Sequence, residues 1–295
     1  MFKAQSVKLY KKLSAAKPFF LICGPCMIES EQSTLAVAER LDGVRNRLNI
    51  PVIFKASYDK ANRTSGSSPR GVGMKDGLRI LKHVKDNFEF DGITTDVHDV
   101  HSVAEVAEVA DIIQIPAFLC RQTDLLVQSG NTGRIVNIKK GQFASANTML
   151  CAQDKIQRHG CMCNESNGSD GDFGLMLTER GTTFGYDDLI VDFRNLERMR
   201  TKNNLVIQDV SHANQNKQSN EFDRNSVVVT GGNKNFIPAI GRAAAAVGVD
   251  GIFIETHINS SMALSDKETQ IDVGDLEELV VELIEIANVS RGGRR

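Results

Sequence analysis

The sequence predicts an α/β protein in which eight short strands alternate with helices. Most of the strand candidates are continuous apolar runs, as expected of parallel strands that are buried on both faces. The segments between them carry the apolar spacing of helices. Eight strands in a single domain of 295 residues favour a TIM (β/α)8 barrel. An open, doubly wound sheet is the alternative.

The strand candidates are spread along almost the whole chain. In order they are Phe19–Cys23, Val52–Ala56, Gly92–Asp96, Asp111–Ile115, Arg134–Ile138, Phe173–Thr178, Leu205–Asp209 and Gly251–Glu255. Helical patterns are predicted at Glu29–Arg47, Gly77–Asn87, Ser102–Ala110, Phe236–Val247 and Asp275–Asn288. The fourth of these helices contains a run of alanine, the best helix former. The last one repeats leucine, valine and isoleucine at helical spacing.

The remaining segments are assigned by their composition. Residues 1–18 form a basic, mildly amphipathic N-terminal extension without the apolar core of a signal peptide. Residues 19–289 are predicted to form the barrel, and residues 290–295 a disordered tail. The polar runs Cys161–Asp172 and Ala213–Asn225 are predicted to be long loops beside strands.

Charge and hydropathy exclude several classes of protein. A formal net charge of −2 gives no indication of nucleic acid or an anionic membrane surface as partner. No apolar run approaches the ~18 residues of a membrane span. Six cysteines in so long a chain do not indicate a disulfide scaffold. These features favour a cytoplasmic protein.

Polar side chains follow nearly every predicted strand, at the end where a barrel collects its chemistry. Six of them are cations: Lys55, Lys60, Arg63, Arg121, Lys139 and Arg180. If these cations converge on one pocket, the ligand must carry several negative charges, as a phosphorylated or carboxylated small molecule does. Lys140 is instead expected to pair with an acid at the surface.

A second set of residues has side chains that ligate metals. It consists of Cys26, His212, Glu255 and Asp266. Thiolate, imidazole and carboxylate together suit a borderline divalent ion such as Zn²⁺, Fe²⁺ or Mn²⁺. Each residue also has a structural explanation, since a lone histidine is often simply hydrogen-bonded and Asp266 could cap a helix.

The run Cys23-Gly24-Pro25-Cys26 matches the redox motif of thioredoxins and predicts, as an alternative, a thiol–disulfide oxidoreductase. The chain is much longer than a thioredoxin and contains no tryptophan. A redox site would also leave the polar ends of the later strands without a role. Cys161 and Cys163 could join these cysteines in a zinc site, but their irregular spacing in a Gly/Ser/Asn-rich loop argues against it.

Seven segments together resemble the 3-deoxy-D-manno-octulosonate 8-phosphate synthase family, from about Phe19 to Ala287. They are Gly24–Ser30, Lys55–Arg63, Thr95–His98, Ile113–Asp124, Asn137–Phe143, Glu179–Tyr186 and Gly248–Glu255. The sister family, the first enzyme of aromatic biosynthesis, typically has Lys-Pro-Arg-Thr-Ser where this chain has Lys60-Ala-Asn-Arg63. That difference favours the octulosonate family.

The resemblance implies a TIM barrel, usually a homotetramer, that catalyses an aldol-type transferase reaction. Phosphoenolpyruvate, D-arabinose 5-phosphate and water would give 3-deoxy-D-manno-octulosonate 8-phosphate and phosphate, for lipopolysaccharide or cell-wall sugar synthesis. It assigns catalytic roles to Lys60, Asn62, Asp96, His98, Lys139 and His212. It assigns substrate binding to Lys55, Lys60, Asn62, Arg63, Thr64, Gln114, Phe118, Arg121, Lys139 and Arg180.

The resemblance also bears on the metal. The family has a metal-independent branch with asparagine at the position of Cys26, and a metal-dependent branch that uses Cys, His, Glu and Asp. The second pattern is matched by Cys26, His212, Glu255 and Asp266.

Three segments depart from the family pattern. Thr64–Gly71 replaces a usual Ser-Ser-Ile-His-Ser-Phe/Tyr-Arg-Gly, His257–Ser260 replaces His-Pro-x-Pro, and the loop after His212 is longer and more polar. The first of these lies on the aldose side, so a related enzyme for another aldose, of the erythrose 4-phosphate type, remains an alternative. A barrel that binds phosphoenolpyruvate without turnover is a further one, against which the intact set of cations argues.

Overall fold

The computed structural model describes residues 2–62, 68–159, 174–185, 188–216 and 231–292. In chain order the strands are β1 (Phe20–Gly24), β2 (Val52–Lys55), β3 (Gly92–Asp96), β4 (Ile112–Ile115), β5 (Ile135–Lys139), β6 (Leu175–Glu179), β7 (Thr182–Thr183), β8 (Leu189–Ile190), β9 (Leu205–Asp209), β10 (Gln215–Asn216), β11 (Gly231–Gly232), β12 (Gly251–His257) and β13 (Ile271–Asp272). Strands β1 to β6, β9 and β12 pair in parallel in that order, and β12 pairs with β1. The eight strands therefore close into a barrel.

The described helices lie before, between and after the barrel strands, and those that connect consecutive strands cover the outside of the barrel. They are α1 (Phe2–Ser14), α2 (Glu31–Leu48), α3 (Met74–Asn87), α4 (Val103–Val109), α5 (Thr123–Asn131), α6 (Ala146–His159), α7 (Arg194–Met199), α8 (Ile237–Val247) and α9 (Val273–Gly292). The parallel pairing with helices on the outer face confirms the single-domain TIM barrel that the sequence predicts.

Alternate residues of each barrel strand face inward and outward. In β5, Ile135 belongs to the inner apolar cluster, whereas Val136 and Ile138 belong to the outer one that packs under the helices. In β6, Met176 is an inner residue, whereas Leu177 is an outer one. This period of two decides which polar residues reach the interior where the strands end.

Helix α1 closes the N-terminal end of the barrel. Tyr10 and Leu13 are buried in the inner apolar cluster, beside residues of the barrel strands. The Tyr10 hydroxyl donates a hydrogen bond to the carbonyl of Leu175 at 3.4 Å, and the Arg134 guanidinium lies 3.9 Å from the centre of the Phe2 ring. The N-terminal extension therefore contributes directly to the core.

The predicted boundaries hold closely for the strands and less well at the ends of the chain. Strands β3 and β9 have the predicted bounds, and β12 continues to His257. Helix α9 runs to Gly292, into the segment 290–295 for which the sequence predicted disorder, and residues 293–295 lie outside the described residues. The predicted loop 161–172 also lies outside them, and so does the part of the loop 213–225 that follows Asn216.

Among the described helices, none combines the length and the apolar character that a membrane span requires.

Replacing Leu13 with alanine is expected to lower the free energy of unfolding by about 2–5 kcal/mol, because it opens a cavity between α1 and the barrel. Urea unfolding measures this change. Gln5→Ala, on the exposed side of the same helix, serves as the control and should stay within about 0.5 kcal/mol. A Leu13→Ala protein as stable as the control would show that α1 does not close the barrel.

Candidate active site

The inward-facing residues change from apolar to charged at the C-terminal end of the barrel. In β5 the inner row continues from Ile135 through Asn137 to Lys139, and in β12 it continues from Phe253 to Glu255. Both rows follow from the strand period, since each step of two residues keeps the same face. The charged groups consequently collect in one mouth above an apolar floor.

Lys139 lies at the centre of this mouth. Its Nζ forms an ion pair with a carboxylate oxygen of Asp209 and lies 3.6 Å from the centre of the Phe253 ring. Burial lowers the pKa of Lys139 more than the Asp209 carboxylate raises it, and the charge of Arg180 lowers the pKa further. The Asp209 carboxylate also lies 2.8 Å from His212 Nδ1, so one buried acid holds both a cation and an imidazole.

Lys55 and Glu255 form a second buried pair. The Lys55 Nζ donates to Glu255 Oε1 at 2.5 Å and to the carbonyl of Cys26 at 2.9 Å. Burial acts to raise the pKa of Glu255, but the positive charges of His212, Lys55 and Lys60 outweigh it and hold the pKa below its usual range. Glu255 is therefore an ionised carboxylate whose side chain is completely buried.

Lys60 and Arg180 differ from these cations because their direct partners within the described residues are neutral. The Lys60 Nζ donates to Ser57 Oγ at 3.0 Å. The Arg180 Nη2 donates to the carbonyl of His212 at 3.3 Å and to the side-chain oxygen of Gln215. Neutral oxygens can be exchanged for the oxygens of an anion without separating an ion pair. These two cations are thus available to an anionic ligand.

A belt of hydrogen bonds crosses the interior just below the cations. The Ser57 hydroxyl donates to Asp96, to which Gln114 Nε2 donates at 2.5 Å. Asn137 Nδ2 donates to Gln114 Oε1 at 3.3 Å, and the Thr178 hydroxyl donates to Asn137 Oδ1 at 2.7 Å. The belt ties five consecutive strand ends together and satisfies polar groups that would otherwise be buried without partners.

Cys26, His212 and Glu255 form the group that could hold a metal ion. Their ligand atoms all lie within 4.8 Å of one another. Among the described residues, the Glu255 Oε2 is buried without a hydrogen-bond partner, and it lies 3.5 Å from His212 Nε2. A buried carboxylate oxygen without a partner, next to a thiol and an imidazole, is what a divalent cation would satisfy. The residues therefore fit the metal that the sequence predicted.

Asp266 lies beside this group but is not one of the three clustered ligands. Its Oδ2 is 3.1 Å from Cys26 Sγ, and its backbone has a φ of 49°, in the left-handed region that few non-glycine residues adopt. The Ser265 hydroxyl donates to the same oxygen at 2.6 Å, and Gln215 Nε2 donates to the other oxygen at 2.7 Å. Its carboxylate is thus held at the edge of the metal-ligand group.

Other residues for which the sequence predicted substrate contacts are exposed in the single chain or lie outside the described residues. Arg121 is exposed, and its carbonyl accepts a hydrogen bond from Lys155 Nζ. Phe118 is 55% exposed, and Asn62 is exposed at the edge of the mouth. Arg63 and Thr64 lie outside the described residues. The single chain therefore brings Lys55, Lys60, Lys139 and Arg180 together, but not Arg121, because Arg121 follows the turn that leads away from β4.

His98 lies next to the mouth. It is partly buried, and the edge of its imidazole packs on the Tyr58 ring with 5.4 Å between the ring centres. It acts on Asp96 through its charge, since it is among the groups that lower the pKa of that carboxyl against the effect of burial.

The prediction for Lys140 is wrong in one respect. Lys140 does pair with an acid, Glu179, but both side chains are completely buried rather than at the surface. Glu179 faces the outer layer, because it precedes Arg180 by one residue and successive strand residues point to opposite faces.

The geometry contradicts the redox alternative. Cys23 belongs to the outer apolar cluster, whereas Cys26 contacts Ser265 and Asp266. Burial raises the pKa of both thiols, and for Cys26 the carboxylates of Asp266 and Glu255 raise it further. Thiol exchange requires an accessible thiolate with a lowered pKa. Cys161 and Cys163 lie outside the described residues.

Sequence reasoning missed the belt and the groups that orient the metal ligands. Asn137 and Thr178 precede Lys139 and Arg180 by two residues each, so a polar residue on the inner face of an apolar strand was the available signal. Gln270, whose Oε1 accepts from the backbone N–H of Cys26 at 3.0 Å, gave no signal because it lies more than two hundred residues away.

Comparison with known proteins agrees with the resemblance seen in the sequence. Residues 12–290 match the model of the DAHP synthetase I family. The chain is 47% identical over 287 residues to 2-dehydro-3-deoxyphosphooctonate aldolase 1 of Arabidopsis thaliana, covering 97% of this chain and 94% of the relative. It is 47% identical to the Pisum sativum protein named 2-dehydro-3-deoxyphosphooctonate aldolase, with the same coverage. The Pelobacter propionicus protein of that name is 44% identical over 272 residues, covering 92% of this chain and 93% of the relative.

Burial of the thiols predicts their order of reaction. Of the four cysteines with described positions, Cys151 is exposed and Cys23, Cys26 and Cys120 are buried. Brief treatment of the native protein with iodoacetamide, followed by peptide mass spectrometry, should label Cys151 first and the buried three only on unfolding. Cys151→Ser is the control that removes the early product. Rapid labelling of Cys26, or an isolated Cys23–Cys26 disulfide, would restore the redox hypothesis.

Proposed function

The chain belongs to the DAHP synthetase I family, and from this premise we propose that it condenses phosphoenolpyruvate with D-arabinose 5-phosphate and water. The products are 3-deoxy-D-manno-octulosonate 8-phosphate and phosphate. Relatives that are named 2-dehydro-3-deoxyphosphooctonate aldolase and are 44–47% identical over more than nine-tenths of the chain support this reaction. They favour it over the related condensation with an erythrose 4-phosphate type of aldose.

The observation that carries the proposal is the pair of cations with neutral partners, Lys60 and Arg180, beside Lys139. Phosphoenolpyruvate has a carboxylate and a phosphate group, both anionic. In this mouth the other buried cations are paired with acids, whereas Lys60 and Arg180 contact neutral oxygens. These two cations can therefore bind the carboxylate and the phosphate group. Gln114 and His212 lie next to them and can add hydrogen bonds.

In the reaction, C3 of phosphoenolpyruvate attacks the aldehyde carbon of the sugar, and positive character develops at C2. Water adds at C2, and the resulting hemiketal phosphate loses phosphate. The two substrates are anions that repel each other, so fixed cations lower the barrier by holding them at reacting distance. The belt through Asp96 and Gln114 keeps the Lys60 ammonium in place through Ser57.

The metal belongs to the proposal as well. Cys26, His212 and Glu255 would hold Zn²⁺, Fe²⁺ or Mn²⁺, with Asp266 at the side of Cys26. When bound, such an ion acts as a Lewis acid towards the aldehyde or the attacking water. Within the chain, Lys55 balances the charge of Glu255, and Asp209 fixes the orientation of the His212 ring.

The aldose is proposed to enter from the side of Asn62, where Arg63 and Thr64 follow in the sequence. This is the side on which the segment Thr64–Gly71 departs from the family pattern. Phosphate release with arabinose 5-phosphate, erythrose 4-phosphate and ribose 5-phosphate in parallel measures the preference. A higher kcat/KM for erythrose 4-phosphate would contradict the proposed substrate.

We also propose that the chain forms a homotetramer in the cytoplasm and serves lipopolysaccharide or cell-wall sugar synthesis. Three phenylalanines on the loops around the mouth support an assembly, because Phe118, Phe143 and Phe184 are 55%, 57% and 70% exposed. An assembled neighbour would cover them and could bring Arg121 to a substrate. Analytical ultracentrifugation measures the assembly, and a monomer at micromolar concentration would contradict it.

Removing the metal is expected to abolish phosphate release from phosphoenolpyruvate and arabinose 5-phosphate, and adding back one of Zn²⁺, Fe²⁺ or Mn²⁺ should restore it. Elemental analysis should find about one ion per chain in the untreated protein. Cys26→Ser and His212→Asn should both lower the bound metal, while Cys151→Ser should not. Full activity in a protein shown to be metal-free would remove the metal from the mechanism.

Replacing Arg180 with methionine is expected to raise KM for phosphoenolpyruvate about 10- to 100-fold, since a hydrogen bond to a charged group contributes about 1.5–3 kcal/mol. KM for arabinose 5-phosphate should change far less. The control Arg198→Met removes an exposed arginine on α7. Steady-state kinetics with each substrate varied in turn measures both constants. An unchanged KM for phosphoenolpyruvate would show that Arg180 does not contact it.

A further inference from the structure

Behind the mouth lies a buried ion pair that has no role in the proposed chemistry. Lys140 and Glu179 are each 0% exposed. They are the outward-facing neighbours of Lys139 and Arg180, at the ends of the adjacent strands β5 and β6. Each strand end therefore presents one cation to the interior and one member of an opposite-charged pair to the layer outside.

The Lys140 ammonium is surrounded by oxygens from both strand ends. Its Nζ lies 2.9 Å from the Thr182 hydroxyl, 3.1 Å from the carbonyl of Gly181 and 3.2 Å from Glu179 Oε1. The carbonyls of Gly141 and Ala144 follow at 3.3 and 3.4 Å. The ammonium consequently joins the loop after β5 to the loop after β6.

Glu179 completes the link from the other side. Its Oε1 accepts hydrogen bonds from the backbone N–H groups of Arg180, at 3.0 Å, and Gly181, at 2.8 Å. Its Oε2 accepts from Asn195 Nδ2 at 3.1 Å, on helix α7. The carboxylate thus fixes the backbone at Arg180 and anchors it to the outer helix.

This arrangement is better suited to positioning the neighbouring cations than to stabilising the folded protein. A buried ion pair adds little net stability, because taking both charges out of water offsets their attraction. Lys139 and Arg180, however, carry like charges in one mouth, and the charge of Arg180 lowers the pKa of Lys139. Like charges that converge on one ligand need a backbone that resists their separation.

We propose that Lys140 and Glu179 are positioning residues that hold Lys139 and Arg180 at the spacing required by the anionic groups of phosphoenolpyruvate. The inference rests on the proposed function for the identity of the ligand. It adds that two residues without substrate contact determine the affinity for phosphoenolpyruvate, and not that for the aldose.

The test uses Lys140→Met, which keeps an unbranched side chain one atom shorter and removes the charge. Calorimetry should show phosphoenolpyruvate binding at least about tenfold weaker than in the wild type. Steady-state kinetics should show a KM for phosphoenolpyruvate raised by a similar factor, and a KM for arabinose 5-phosphate within about twofold.

Arg134→Met is the matched control. Arg134 is also a buried cation paired with an acid, Asp111 at 3.1 Å, but it lies at the opposite end of the barrel, against α1. Its loss should lower the melting temperature without weakening phosphoenolpyruvate binding. If Lys140→Met weakens binding no more than Arg134→Met does, the pair is only structural and the inference is wrong.

If Lys140→Met does not fold, Thr182→Val replaces it in the binding test. It removes the nearest oxygen around the Lys140 ammonium with little change in shape, and should weaken phosphoenolpyruvate binding about two- to fivefold. Unchanged binding in a folded Thr182→Val protein overturns the inference. Binding and turnover measurements on the wild type test the proposed function separately from the inference. If it binds phosphoenolpyruvate without turnover, the reaction is wrong, while the binding data still decide the inference. If it does not bind phosphoenolpyruvate, both fail.

Discussion

The C-terminal end of the barrel depends on the compensation of buried charge. Three lysines lie almost out of contact with water, and each has an acid beside it: Lys55 has Glu255, Lys139 has Asp209 and Lys140 has Glu179. An isolated charge in such a place would be strongly unfavourable. The pairs therefore decide where each side chain lies, and the apolar floor at Phe253 makes the constraint stricter by excluding water.

Within this compensated set, a few groups are left for a ligand. Among the described residues, Lys60 and Arg180 contact neutral oxygens, and the Glu255 Oε2 is buried without a hydrogen-bond partner although Oε1 is paired with Lys55. The first two suit anions and the third suits a cation. The proposed binding of two phosphorylated substrates and a divalent ion rests on these available atoms rather than on the number of charges. The family to which the chain belongs then specifies the chemistry.

Much of this arrangement could be predicted from the sequence, because it follows from local rules. The strands are apolar runs, and the proposed metal ligands Cys26, His212 and Glu255 stand at or just after strand ends. What could not be predicted depends on a single step along a strand. Whether Lys139 or Lys140 enters the mouth is decided by register, which a one-residue shift would reverse. The single chain leaves Arg121 exposed after the turn that follows β4, a placement that the strand pattern alone does not give, and Arg63 lies outside the described residues.

The most direct test of this account is a crystal structure of the protein with phosphoenolpyruvate bound. The account predicts that its carboxylate and phosphate lie in the mouth, within hydrogen-bond distance of Lys60, Lys139 and Arg180, with Lys140 and Glu179 still paired behind them. Phosphoenolpyruvate bound at another place on the protein, or in the mouth without contact to Lys139 and Arg180, would contradict it.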